Sequence, residues 1–281
     1  MESRDEATTA AQLLQQQEVV RFRLERRGPS RGYQWFLVCS AVLLSVYAGV
    51  LLFAFSTSGS TAGSSGYTYT NLMLLPVLLY SALANGARER FGIRNRASVA
   101  QVVGTVAAIA VVMILGWLSI TDVGYPAWMN VVAPVVLFAV MAISPLRRLV
   151  ADRSTPPTDR WENTPPPTPA RWATAGIGVV LGLLAATTAV VWYPIISAAT
   201  LLVTLSVVLI SWRLPWGLRS TGYHWGPVNW AFFAAATSAM FALTAALSMS
   251  SVGPGAAIAV GVFILVVMII SALLPLPAAG E

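Results

Sequence analysis

The side chains able to carry chemistry are few and scattered. His224 is the one histidine, Cys39 the one cysteine, and eleven carboxylates are spread over 281 residues. A hydrolytic metal centre draws on clustered His and carboxylate ligands, and no such cluster is present in the sequence. One cysteine rules out an internal disulfide and any multi-cysteine metal site. A Ser–His pair of the intramembrane-protease kind needs both groups at depth on neighbouring helices. His224 instead lies in Ser-Thr-Gly-Tyr-His-Trp-Gly-Pro, residues 220–227, between two apolar runs. Flanked by Tyr223 and Trp225, it is expected to anchor the following helix at an interface. There is no Gly-x-x-x-x-Gly-Lys-Ser/Thr, hence no P-loop. No catalytic, cofactor-binding or metal-ligating residue is therefore expected, and Cys39, inside the first apolar run, is expected to be a buried thiol.

The elements around these groups follow from composition. The chain is 57% apolar and 10% charged, against about 45–50% and about 25% for a soluble domain. So few charges cannot cover a water-facing surface of ordinary size, and lipid is the solvent that tolerates the long uncharged runs between them. The fold class predicted is all-α, a polytopic helical integral membrane protein. All seventeen basic residues are Arg, which with abundant Ala, Val, Gly and Pro fits a GC-rich bacterial gene and an inner-membrane location. A net charge of +6 would suggest nucleic acid if it formed one soluble patch. The arginines fall beside apolar segments instead, so the expected partner is the lipid bilayer and nucleic acid is not.

About 20 residues of helix cross the roughly 30 Å hydrocarbon core. The runs Trp35–Phe55, Asn71–Asn85, Val99–Ile120 and Ala127–Leu146 give four spans. Trp172–Trp212 is twice the needed length and divides at Tyr193-Pro194. Val228–Leu247 and Gly255–Leu274 bring the total to eight. The second is the weakest, with an apolar core of about thirteen residues. Arginine placement tests the count independently. Six precede the first span, four follow the second, five follow the fourth and two follow the sixth, which leaves the alternate loops with none. Basic loops stay in the cytoplasm, so both termini are expected inside. All ten Trp lie near a span end or in an adjoining loop, as interfacial anchors should.

Residues 1–32 form a cytoplasmic arm in which Ala10, Leu13, Gln17, Val20 and Leu24 share one helical face. Acidic residues near its start and arginines near its end suit the helix dipole. Residues 151–171 are a Pro-rich linker that favours extended geometry. It separates two blocks of four spans, 33–150 and 172–277. The loops on the far side, 56–68 and 121–126, are too short to fold as domains.

No Asp, Glu, Arg or His lies within a predicted span, which argues against a proton-coupled carrier, since such proteins keep an intramembrane ionisable group. Uncharged polar residues in the spans, among them Asn130, Thr187, Thr188, Thr200, Asn229, Thr237 and Thr244, are expected to hydrogen-bond between helices. Gly178-x-x-x-Gly182 permits close helix packing, and Pro76 and Pro134 interrupt helical hydrogen bonds. The leading functional expectation is a non-catalytic membrane component or accessory subunit that docks a cytoplasmic partner. Its contacts with that partner or with the membrane surface are assigned to Arg21, Arg23, Arg26, Arg27, Arg88, Arg90, Arg147 and Arg148. The alternative is a permease or flippase for a neutral or lipid-like substrate, driven by a separate ATPase. Either reading is compatible with self-association.

Overall fold

A chain with 20-residue apolar runs and short polar breaks folds as hairpins of helices, because every backbone polar group in lipid must be paired within its own segment. The computed structural model describes residues 31–58, 69–91, 99–121, 125–151, 166–214, 216–249 and 252–274. Among these there are nine α-helices and no strand: α1 Arg31–Ser58, α2 Thr70–Arg90, α3 Val99–Ile120, α4 Met129–Ala151, α5 Thr168–Ala186, α6 Tyr193–Ile210, α7 Leu218–His224, α8 Pro227–Met249 and α9 Pro254–Leu273. Over the described residues the protein is all-helical and membrane-embedded, with seven helices long and apolar enough to cross a bilayer: all but α2 and α7.

The 41-residue apolar run divides as expected, at a short 3-10 turn, Thr187–Ala189, with Pro194 in the first turn of α6. Helix α5 starts at Thr168, so the last four residues of the expected linker are helical. Pro169 is accommodated because a first-turn residue needs no N–H partner. Pro76, Pro134 and Pro145 lie inside continuous helices. The short α7 was expected to be loop.

Helix α2 misses the apolarity of a crossing helix for a physical reason. Leu72, Leu75, Leu79 and Leu83 are fully buried against Ile177, Leu181, Trp225, Phe233, Met240 and Ile264 from α5, α8, α9 and the segment after α7. A helix enclosed by other helices needs no lipid-compatible surface, so it carries Asn85 and ends in Arg88, Glu89 and Arg90. Its 21 residues extend about 31 Å. It runs from Tyr69, whose ring lies 5.4 Å from that of Tyr193 at the start of α6, to Phe91, whose ring lies 5.1 Å from Tyr33 at the start of α1.

The most intimate helix pair is α5 with α9. A Cβ on Gly178 would stand 2.5 Å from Met268 Cβ, and one on Gly182 would stand 2.7 Å from the Gly261 carbonyl. The small-residue spacing read from Gly178 and Gly182 therefore does allow two backbones to approach. Helices α1, α3 and α4 form a second cluster around Leu52, Val112, Leu115 and Leu137. Cys39 is exposed on α1 rather than buried. In lipid an exposed position is still apolar, so a thiol there needs no protein cover.

Candidate functional site

The contacts between helix ends gather the described arginines at one end of the bundle. Tyr33 near the start of α1 meets Phe91 after α2, and Trp225 before α8 donates Nε1–H to Thr174 Oγ1 in the first turns of α5 at 2.9 Å. Asn229 in α8 reaches Ser271 at the end of α9. Helix α4 is antiparallel to α1, with Pro134 beside Gly49, which brings Arg147 and Arg148 to the same end. Arg31, Arg88, Arg147 and Arg148 are exposed there.

The scaffold beneath them is the junction of α2 with α7. Gly86 and Gly222 interlock: a Cβ on Gly86 would strike the Arg219 carbonyl and stand 2.6 Å from Tyr223 N, and one on Gly222 would strike the Leu83 carbonyl. Two backbones meet because neither residue has a side chain. Arg90 then donates from Nη1 to the carbonyls of Tyr223 and Trp225, at 3.2 and 3.3 Å. A guanidinium there satisfies carbonyls that the end of α7 leaves without helical partners. Arg219 grips Glu89 with both arms, its Nε donating to Oε2 at 2.8 Å and its Nη2 to Oε1. The same guanidinium lies 5.7 Å above the Trp212 ring.

Electrostatics at this end follow that pairing. The hydrogen bond from Arg219 holds the Glu89 carboxyl below the usual glutamate range, and Glu89 in turn raises Arg219. Partial burial and then the nearby Arg90 charge lower His224 below the usual histidine range. His224 closes α7 with its ring edge-on to Tyr223 at 5.2 Å.

Of the arginines expected to make contacts, Arg88, Arg147 and Arg148 face outward at this end, whereas Arg90 is turned into the α2–α7 junction. Arg21, Arg23, Arg26 and Arg27 lie outside the described residues. Sequence reasoning missed Glu89 and Arg219, which are 130 positions apart. A Gly three residues before one and three residues after the other was the only trace of the close backbone approach that pairs them.

Five of the spans' threonines behave differently from expectation, whereas Asn229 bridges helices as expected. Thr187, Thr188, Thr200, Thr237 and Thr244 donate to carbonyls three or four residues back along the same segment. A hydroxyl one turn from a carbonyl reaches it without help from another helix. Asn229 bridges helices, its Nδ2 donating to both the carbonyl and Oγ of Ser271 at 3.0 Å. The tryptophans also divide: Trp35, Trp117, Trp128, Trp172 and Trp192 are exposed near span ends, whereas Trp225 is wholly buried. Trp225 instead packs edge-on to Trp230, with ring centroids 5.1 Å apart, and against Phe233. Among protein-family models, curated proteins and solved structures, none matches this chain.

Proposed function

We propose that this chain is a non-catalytic component of a bacterial inner membrane that docks a cytoplasmic partner through its arginine-bearing end. The supporting observation is the division of labour among the arginines. Arg90 and Arg219 are spent on fixing α7 against α2, while Arg31, Arg88, Arg147 and Arg148 stay exposed on the surface so fixed. A partner of acidic character meets a preorganised cationic face, which lowers the ordering cost of association. Arg21, Arg23, Arg26 and Arg27 of the N-terminal arm, which lie outside the described residues, are assigned to the same contact.

In this reading α2 is the eighth crossing and both termini are cytoplasmic. Its support is the rule that basic ends stay inside, together with the reach of α2 from Tyr69 beside α6 to Arg90 beside α7. Tags near residues 92 and 160 should then report from the same face. Extraction in mild detergent followed by pull-down should recover a partner. The partner should be lost on deleting residues 1–27 and weakened in an Arg88→Gln, Arg147→Gln, Arg148→Gln triple variant. Recovery that survives both changes would falsify the docking role. A permease or flippase for a lipid-like substrate is the second reading, favoured by an apolar groove between α1 and α4.

A further inference from the structure

That groove holds about 490 Å³ and opens on the outside of the bundle. Val42, Gly49 and Phe53 of α1 and Asn130, Pro134 and Phe138 of α4 line it. Its floor is where Gly49 meets Pro134, with the proline ring 3.5 Å from the place a Gly49 Cβ would take. From Val42 to Phe53 it spans about 16 Å at 1.5 Å per residue. That is close to half of the roughly 30 Å hydrocarbon core, and the half in question is the one away from the arginines.

Width decides what fits. A volume of about 490 Å³ open to atom centres over that length is roughly 6 Å across, or about 9 Å from wall to wall, whereas a helix with its side chains is about 10–12 Å wide. A neighbouring helix, from a second copy or another protein, is too broad to enter it whole and would place only side chains in it. A polymethylene chain is not. The polar groups sit at the far rim. Tyr125 Oη donates to Asn130 Oδ1 at 2.7 Å, which occupies the amide oxygen and not its N–H groups. Pro134 has no N–H for the Asn130 backbone carbonyl one turn earlier, so an acceptor stands beside that donor. The described arginines are at the opposite end, so this rim offers hydrogen bonds without a cationic side chain. Ser45, at the inner end, has a buried hydroxyl with no partner among the described residues. Rotation about χ1 brings it to the Ala41 carbonyl one turn back, so it does not call for a polar ligand.

We propose that the groove binds one acyl chain of a lipid from the leaflet away from the arginine end, with Asn130 holding the uncharged ester linkage at its rim. The site stands independently of partner docking. The test uses the full chain in phosphatidylcholine vesicles doped with a phosphatidylcholine that carries a diazirine midway along one acyl chain. After irradiation, adducts on residues 42–53 and 131–138 should exceed, by several-fold, those on α6, which is more lipid-exposed than either α1 or α4. Gly49→Leu should remove that excess by filling the floor. Val46→Trp, which adds bulk to an exposed wall without touching the α1–α4 contact, should remove it as well if Gly49→Leu fails to fold. Asn130→Leu should reduce it. Equal labelling of α1, α4 and α6 would mean only bulk lipid is present, and cross-links joining two copies through residues 42–53 would mean a second protein covers the groove. Either result overturns the proposal.

Discussion

Replacing Gly86 with alanine tests the interlock that organises the arginine end. The new Cβ would stand 2.6 Å from Tyr223 N and closer still to the Arg219 carbonyl. An ordinary contact of this kind is about 3.5 Å, so α7 must retreat by more than about 1 Å, with the Arg219 carbonyl setting the distance. The Arg90 bonds to Tyr223 and Trp225, now 3.2 and 3.3 Å, would then pass the distance at which they count as hydrogen bonds. Losing hydrogen bonds to a charged group costs about 1.5–3 kcal/mol, discounted here for partial exposure. Overpacking strain adds about 1–3 kcal/mol. The gain in helix propensity from Gly to Ala offsets about 1 kcal/mol. The net expectation is a loss of about 3 kcal/mol, or roughly 6–12 °C in apparent Tm for a chain of this size. The assay is the fraction of monodisperse protein left after stepwise heating in detergent, at one heating rate because unfolding is treated as irreversible. Gly176→Ala is the control, since nothing lies within 4 Å of its added Cβ, and it should be neutral or slightly stabilising. If Gly86→Ala and Gly222→Ala behave like Gly176→Ala, the reasoning about this junction is wrong.

Three further outcomes are expected. Gly182→Ala should lower stability by about 1–3 kcal/mol, because its Cβ would meet the Gly261 carbonyl at 2.7 Å, and the same heating series measures it. Thr174→Val should cost about 1–3 kcal/mol by leaving the buried Trp225 N–H without its acceptor, whereas Thr174→Ser, which keeps the oxygen, should cost less. The Glu89 carboxyl is held low in the folded state, so its contribution is present above the ordinary glutamate range and is lost as pH falls through the depressed value. Because Glu89 and Arg219 are 47% and 34% exposed, that contribution is about 0.2–1 kcal/mol. Glu89→Gln should remove this part of the acid dependence of stability in a pH series; an unchanged profile would show that the pair contributes nothing.

How much of this was legible in the residues differs from element to element. The α3 boundaries match the reading from hydropathy because a helix facing lipid carries its whole signal in its own side chains. Tyr193-Pro194 likewise marked the break between α5 and α6, since proline acts on its own backbone. Helix α2 was the weakest reading because its neighbours supply the apolar surroundings that a lipid-facing helix must supply itself. Helix α7 has seven residues, too short for a periodic pattern, and is held by Gly86, Arg90 and Glu89 from another part of the chain.

The sequence alone determined the class of solvent, the rough limits of the seven helices apolar enough to cross a bilayer, and the grouping of arginine in the stretches beside them. Each of these depends on the transfer free energy of a side chain and its immediate neighbours, which is a local property. Only the tertiary structure decided that α2 lies enclosed, that Trp225 is a core residue rather than an interfacial anchor, and that Arg90 and Arg219 bind protein while Arg88 is exposed. Those outcomes depend on which backbones approach closely enough to touch, and glycines over a hundred positions apart give no sign in sequence that they face each other.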